Sequence, residues 1–391
     1  MIHLDHNATT PLDPEVAAAM GVALERAMRG GNPSSVHGLG RAAREDVEAA
    51  RRQVAEGLGC DPLEVVFTSG GTEADNLAIL GAARARARAG APSGILTSPI
   101  EHPAVSAAAR VGAAEGHAWI TVSVDSAGRI DRDTLVDLVA RHPEIGVVSL
   151  AAANHELGNA YPIPDWVAAC RAVRPDLWFH TDAVQAVGKL DVDFAAWGVD
   201  LLSVSAHKLG GPMGVGALLV RRGLRLDPLT RGGAQERGFR PGTENVLGIV
   251  GFGAAVARST VARAERQRHV RRVEARLREG LLALGARIHG DPEHTTGNTL
   301  NVAFPGCEGE LVSMNLDLEG FAVSTGAACS SGSVEASPVL LALGLPPREA
   351  REAIRLSWAH TTRDEEIERL LAVLPGIVTR VRAAEALEDV G

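Results

Sequence analysis

The sequence predicts an α/β protein whose larger domain is a mostly parallel sheet flanked by helices, joined to a smaller α+β domain. Short apolar runs alternate with amphipathic stretches over the first two-thirds of the 391-residue chain, which is the pattern of βα units. Near residue 254 this alternation gives way to a long stretch rich in Arg and Glu, which indicates a second domain. We therefore predict a large domain at 15–257 and a small domain formed by 1–14 and 258–391.

Apolar runs of strand length, separated by polar or glycine-rich turns, predict the buried strands of the large domain. These runs are Glu64–Thr68, Gly94–Ser98, Ile145–Leu150, Leu177–His180, Asp200–Val204 and Gly216–Val220. Helices are expected from Thr72 onwards and at Pro164–Val173. In the small domain we expect one long helix from about Gly251 to Leu284, with strands at Asn298–Phe304 and Ala353–Ser357.

Composition limits the classes of function. The formal net charge of −9 argues against a broad nucleic-acid surface, which needs clustered positive charge. The segment Met1–Asp5 does not begin a secretory signal, and no apolar run is long enough to cross a bilayer, so we expect a cytoplasmic protein without membrane or direct nucleic-acid partners. Cys60, Cys170, Cys307 and Cys329 form no CxxC pair, which predicts free thiols and no metal site.

Polar residues collect where the predicted strands end, and open parallel sheets bind ligands at that edge. After the first strand, Gly70 and Gly71 precede a helix start at Thr72 whose amide groups would suit a phosphate. Thr72 with Asp75 also resembles a capping box, so an ordinary helix cap explains this segment about as well.

Two further strand ends carry side chains that suit an aromatic cofactor. His102 could lie flat on such a ring or act as an acid or base, although a lone histidine more often simply forms hydrogen bonds. Asp182 could pair with a protonated ring nitrogen, although helix capping is the commoner role of such an aspartate.

Covalent chemistry or the binding of a charged substrate could depend on three further residues, Lys208, Cys329 and Arg355. Lys208 follows a buried strand, where desolvation lowers the pKa of a lysine and frees its amine to attack an aldehyde; a surface lysine is the less favoured alternative. The stretch around Cys329 contains no charge and no bulky side chain, which is typical of an accessible loop, with a reactive or an incidental thiol. Arg355 lies inside an apolar run and could bind a carboxylate or form an internal ion pair.

Many short motifs of the chain occur in the order seen in one known family. They are Leu4–Thr10, Gly31–Ser35, Phe67–Glu73, Glu101-His102, His180–Lys189, Ser205–Lys208, Arg240–Thr243 and Arg355–Ser357. Over nearly its whole length the chain resembles the cysteine desulfurases of the class V aminotransferase group. Its long cysteine loop, at about 321–336, is similar to that of the NifS/IscS-like branch. The resemblance implies the fold type I of pyridoxal-phosphate-dependent transferases, with a seven-stranded, mostly parallel sheet and the cysteine loop in the small domain.

The resemblance also implies the cofactor pyridoxal 5'-phosphate (PLP), held covalently by Lys208. Asp182 would pair with the ring nitrogen, His102 would stack on the ring, and Gln185 would lie near its phenolic oxygen. His155 stands where the family has a second asparagine, so either it replaces that residue's contact with the same oxygen or the contact is lost. The remaining cofactor contacts would come from Asn154, Gly71, Thr72, Ser205, His207 and Thr243, the last reaching the partner subunit of a homodimer.

The implied reaction removes sulfur from L-cysteine and gives L-alanine and a persulfide on Cys329. A sulfur-acceptor protein would then take the sulfur for iron–sulfur clusters, other thio-cofactors or tRNA. Arg355 and Asn32 would bind the substrate carboxylate, and His102 could help to deprotonate the thiol. Two alternatives remain. The first is a related class V lyase or aminotransferase such as selenocysteine lyase, which would not need Cys329. The second is a non-catalytic homologue that acts as a binding subunit, and His155 in place of the family's asparagine would be the sign of its degenerate site.

Overall fold

The computed structural model describes residues 1–261, 263–325 and 336–388. The strands are β1 (Ile2–His3), β2 (Val65–Thr68), β3 (Gly94–Thr97), β4 (Trp119–Thr121), β5 (Ile145–Ser149), β6 (Trp178–Asp182), β7 (Leu201–Ser205), β8 (Gly216–Val220), β9 (Arg287–His289), β10 (Thr299–Ala303), β11 (Phe321–Ala322), β12 (Ser324–Thr325) and β13 (Ala353–Ser357). The α-helices are α1 (Pro14–Ala27), α2 (Gly38–Leu58), α3 (Gly71–Arg88), α4 (Pro103–Ala114), α5 (Arg132–Arg141), α6 (Ile163–Val173), α7 (Phe194–Trp197), α8 (Val246–Thr260), α9 (Arg263–Ala283), α10 (Gly309–Leu318), α11 (Pro338–Ala342), α12 (Pro347–Arg351) and α13 (Asp364–Glu388).

The large-domain sheet has seven strands in the order β2-β8-β7-β6-β5-β3-β4. Strand β8 runs antiparallel to both of its neighbours, and the other pairs are parallel. The predicted mostly parallel sheet is therefore confirmed, and the predicted strands agree with the observed ones to within two residues at each end. Strand β4 is not predicted from the sequence, because this short edge strand is partly exposed and shows no apolar run.

Both faces of the central strands are covered, which explains why these strands are apolar at successive positions rather than at every second one. On β5, the neighbouring side chains of Val147 and Val148 point to opposite faces. Val148 belongs to the same hydrophobic cluster as Val54 of α2 and Trp166 of α6, whereas Val147 belongs to a cluster with Leu77 of α3. Helices therefore pack on both sides of the sheet.

A second hydrophobic core gathers residues from the two ends of the chain. It includes Ile2 and Leu4 together with residues from Val270 to Val381, whereas the largest cluster of the first domain runs from Val47 to Val256. Its sheet is antiparallel, in the order β12-β13-β10-β9, and β1 pairs with β11 beside it. This separation supports the domain limits at 15–257 and at 1–14 with 258–391, which we keep as a proposal.

The prediction of a single long helix from about Gly251 to Leu284 is wrong. Two helices, α8 and α9, replace it, and they are bent by 75° where Val261 is extended. The bend has a packing reason, because Phe252 belongs to the first core and Val273 to the second. Among the described helices, none by itself has the length and apolar character needed to cross a membrane, and α8 with α9 reaches that threshold only as a bent pair.

Candidate active site

A cavity of about 370 Å³ lies at the carboxyl ends of the large-domain strands and is closed on one side by β13. Its lining is formed by Asn7, Ala8, Gly71, Thr72, Asp75, His102, Ala151, Ala153, His155, Asp182, Val184, Gln185, Ser205, His207, Lys208 and Arg355. Ten residues predicted from the sequence are among them. They meet because β2, β3, β6 and β7 all end at this edge of the sheet.

Four predicted site residues do not line this cavity. The side chain of Asn154 is buried and holds a turn: its Oδ1 accepts hydrogen bonds from the amides of Glu156 (2.9 Å) and Leu157 (2.8 Å). Asn32 and Thr243 are exposed, and the predicted target of Thr243 belongs to a second subunit. Cys329 lies outside the described residues. The predicted roles of these four residues stay predictions.

The amino terminus of α3 forms one end of the cavity and suits an anion. Its N-cap is Gly70, and among the described residues no side chain caps the helix, so the capping box inferred from the sequence is wrong. A Cβ atom at Gly71 would lie 2.8 Å from the Val184 side chain, and glycine therefore permits close packing of this helix start against the end of β6. Amide groups at a helix start, with Ser205 and His207 beside them, make a plausible phosphate cradle.

Two buried carboxyl groups form the floor of the cavity. Burial raises the pKa of Asp182, while a hydrogen bond from the Val184 amide (2.9 Å) and the charges of His155 and Lys208 lower it. Burial and then the charge of Asp182 raise the pKa of Asp75 well above its ordinary value. Asp75 therefore retains its proton more readily, and Asp182 is the carboxylate available to a cation in the cavity.

A buried polar layer, to which the sequence pattern assigns no role, lies behind this floor. His180 is fully buried, with its ring nitrogens hydrogen-bonded to Ser149 (2.8 Å) and Ser203 (2.9 Å), and burial lowers its pKa to about 3. Burial raises the pKa of Glu101 to about 8, although Ser98 donates to it at 2.6 Å. Polar residues inside the predicted buried strands were the available signal, because such groups need partners.

The ring of His102 forms a wall of the cavity in a fixed orientation. Its Nδ1 accepts a hydrogen bond from the Ala104 amide (3.1 Å) at the start of α4, and its ring meets that of His155 edge to face, with 5.3 Å between centroids. Burial, then the charges of His155 and Lys208, lower its pKa to about 3. The neutral ring therefore has its proton on Nε2, and in this state it can donate that proton but cannot accept one there.

Asn7 joins the amine of Lys208 to the opposite domain. Lys208 Nζ donates to the carbonyl oxygens of Asn7 (2.5 Å) and Ala8 (2.7 Å), and Gln185 Nε2 also donates to the oxygen of Asn7 (3.0 Å). The backbone amide of Asn7 donates to Ser357 Oγ in β13 (2.9 Å). No periodicity marks Asn7 in the sequence, since its partners come from distant parts of the chain.

Arg355 forms the internal ion pair that its sequence position allowed, and its role in binding a carboxylate stays a prediction. Its side chain is buried, and its Nη2 donates to Asp5 at 2.7 Å, which is the internal ion pair. Its Nη1 donates to the His155 carbonyl oxygen (3.2 Å), while its Nε has no hydrogen-bond partner among the described residues. A buried donor of this kind, in the lining of a cavity, suits a carboxylate ligand.

The described flanks of the Cys329 segment lie beside this cavity. Ser324 of β12 pairs with Arg355, and Ser337 donates to Glu156 at 2.6 Å, next to His155 in the chain. The described chain on either side of this segment is therefore close to the cavity lining.

The residues of the cavity fit a phosphorylated pyridine aldehyde. The helix start suits the phosphate, Asp182 suits a protonated ring nitrogen, and Lys208 supplies an amine. The Asp182 carboxylate and the Asp75 oxygen that has no hydrogen-bond partner among the described residues both favour a cationic group above the floor.

Comparison with known proteins agrees with this geometry. The model of the class V aminotransferases matches residues 2–370. The chain is 45% identical to a cysteine desulfurase of Cereibacter sphaeroides (98% of this chain and 97% of that one) and 39% identical to the cysteine desulfurase NifS of Azotobacter vinelandii (97% and 93%). A solved NifS-like protein superposes with a TM-score of 0.90 at 35% identity over 97% of this chain and 99% of its own. The chain therefore belongs to the class V aminotransferase family, in the branch of the NifS- and IscS-like cysteine desulfurases.

Proposed function

We propose that this protein is a PLP-dependent cysteine desulfurase that transfers the sulfur of L-cysteine to Cys329. The observation that carries the proposal is the position of Lys208, whose amine lies in a cavity between an anion-binding helix start, a buried carboxylate and a buried imidazole ring. Relatives named as cysteine desulfurases support the reaction. A solved structure described as SspA in complex with cysteine, 31% identical and with a TM-score of 0.78, supports the substrate.

The cofactor, when bound, withdraws electrons from the carbon next to the substrate's amino group. Around it, Lys208 would hold the cofactor and move the proton from that carbon, and Asp182 would keep the ring nitrogen protonated. Arg355 would bind the substrate carboxylate, in competition with Asp5. The Cys329 thiolate would take the substrate's sulfur, so that L-cysteine and the thiol become L-alanine and a persulfide.

The alternatives derived from the sequence receive less support. A selenocysteine lyase would leave Cys329 without a function, and the relatives quoted above are named as cysteine desulfurases. A non-catalytic subunit would not need the intact lining. His155 does line the cavity, so the place of the family's asparagine is occupied by another polar side chain.

The partners of the protein follow from the same proposal. We propose a homodimer, in which the exposed Thr243 reaches the partner's phosphate site, and a sulfur-acceptor protein that receives the persulfide. The acceptor would serve iron–sulfur clusters, other thio-cofactors or tRNA. The cytoplasmic location stays a prediction from the sequence.

The test of this proposal is Cys329→Ser, with formation of alanine and of protein persulfide from L-cysteine as readouts. Loss of the attacking thiol should lower alanine formation at least about a hundredfold. Cys60→Ser is the matched control, since burial raises the pKa of the Cys60 thiol to about 12 and makes it unreactive. Unchanged turnover in Cys329→Ser would refute the persulfide route and favour the lyase.

A further inference from the structure

Lysine is almost absent from this chain. Of the 39 lysine and arginine residues, the two lysines are Lys189 and Lys208. Both meet at Asn7, where Lys208 Nζ donates to the carbonyl oxygen (2.5 Å) and Lys189 Nζ to the side-chain Oδ1 (3.1 Å). Since the other lysine or arginine positions are all arginine, a lysine at position 189 indicates a place where a compact ammonium group is needed.

The contact between Lys189 and Gln185 fixes the orientation of an amide that lines the cavity. Lys189 Nζ donates to Gln185 Oε1 at 2.6 Å. An ammonium group can only donate hydrogen bonds, so it selects the oxygen end of the amide. Gln185 Nε2 is therefore turned the other way and donates to the carbonyl oxygen of Asn7 (3.0 Å), beside the amine of Lys208.

Lys189 lies in a positively charged corner. Among the described residues, its hydrogen-bond partners are amide oxygens and not carboxylates. Lys208 and Arg355 face it, Arg355 being paired with Asp5, and the nearby His6 is neutral because burial lowers its pKa to about 3. Burial, then the charges of Lys208 and Arg355, lower the pKa of Lys189 to about 7. A negative charge placed near this corner would therefore be stabilised.

We propose that Lys189 is a positioning residue for the cofactor: its ammonium group keeps Gln185 Nε2 turned towards the cavity and stabilises negative charge on the phenolic oxygen of the PLP ring. This inference rests on the proposed function, because it needs PLP bound at Lys208. The positive charge of Lys189 lowers the proton affinity of the PLP chromophore bound at Lys208. Its removal should raise the apparent pKa of that chromophore.

The first experiment compares wild-type protein with Lys189→Met after loading with PLP. In the variant we expect the apparent pKa of the visible absorbance to rise by about one unit, a tenfold change in proton affinity, and the dissociation constant of PLP to rise about tenfold. Arg263→Met is the matched control: it removes a half-buried charge paired with the exposed Asp191, where solvent screens the pair, and should leave both values unchanged.

Borohydride reduction separates this inference from the function on which it rests. If PLP is trapped on Lys208 in wild type and variant, but the apparent pKa of the chromophore is unchanged, the role of Lys189 is refuted alone. If the wild-type protein traps no PLP on Lys208, the proposed function fails first. A purely structural role of Lys189 predicts lower thermal stability without the spectral shift, which would also refute the inference.

A second measurement needs no substitution and applies even if Lys189→Met fails to fold. Protein labelled with ¹³C at lysine Cε should give one nuclear magnetic resonance signal for each of its two lysines. On loading with PLP, the pKa read from the Lys189 signal should rise, because a negative charge has been placed near its ammonium group. A Lys189 titration that is identical with and without PLP would overturn the proposal.

Discussion

The floor of the cavity is built from acidic groups, whereas its far corner is built from basic ones. Acidic groups with raised pKa values, Asp75, Asp182 and Glu101, form the floor and its backing, whereas Lys189, Lys208 and Arg355 gather around Asn7. In each set some polar atoms have no hydrogen-bond partner among the described residues: Asp75 Oδ1 and Glu101 Oε2 in the acidic set, and Arg355 Nε in the basic set. The difference teaches that the cavity is complementary to a ligand that is positive at one end and negative at the other.

In the positively charged corner, Lys208→Ala should cause the largest loss of activity. We expect PLP no longer to be trapped by borohydride and alanine formation to fall more than about a thousandfold, because no other amine lines the described cavity. Peptide mass spectrometry after reduction checks the first result. Lys208→Arg, which keeps the charge but cannot attack the aldehyde, should be equally inactive; activity in that variant would show that the charge alone suffices.

On the acidic floor, Asp182→Asn should lower alanine formation about a hundredfold, because a neutral amide cannot stabilise a protonated ring nitrogen. Asp75→Asn is the matched control, with an expected loss of only a few-fold, since burial and the charge of Asp182 raise the pKa of Asp75 and favour its neutral form. Initial rates at saturating PLP distinguish the two. Equal losses would mean that the two carboxyl groups share one function.

Glu101→Gln tests the acidic layer through stability. The folded protein holds a proton on Glu101 that the unfolded chain loses, so the free energy of unfolding should fall as the pH rises from about 4.5 to about 8. Glu101 contributes at most about 1.4 kcal/mol per pH unit to this slope. Denaturant unfolding of the PLP-free protein should show a flatter slope in Glu101→Gln, but not in the exposed control Glu365→Gln. If the substitution left the pH dependence of the free energy of unfolding unchanged, the pKa of Glu101 would not be raised, and its surroundings would be more polar than its burial indicates.

The smallest expected effect is that of His155→Asn, which introduces the family's usual residue. Since the charge of His155 is second to burial among the causes that lower the pKa of His102, that pKa should rise by less than about one unit. Histidine nuclear magnetic resonance of the PLP-free protein measures it. A fall in the pKa would mean that the two rings stabilise each other's charged forms.

Sequence reasoning found the parts of this molecule that depend on local pattern. The buried strands were predictable, because Val147 and Val148 are both covered by helices and leave a continuous apolar run. Lys208 and Asp182 were predictable as well, since they follow such runs, and the ends of parallel strands meet at one edge.

Other features depend on contacts between distant residues, which a local pattern does not contain. Asp75 resembled a helix-capping residue, yet its burial beside Asp182 comes from packing of α3 on the sheet. The bend at Val261 separates two helices that are continuous in composition, because each belongs to a different core. Asn7 is polar at a position without periodicity, and its importance appears only when β10 and β13 are in place.

The contacts of Asn7 also determine when this cavity can form during synthesis. Asn7 leaves the ribosome well before its partners Thr299 and Ser357, which lie 292 and 350 positions later. At about 5–20 residues per second, translation separates their appearance by some tens of seconds. A nascent chain can therefore fold much of its parallel sheet long before it has a complete place for the coenzyme, and an interrupted chain would never acquire one.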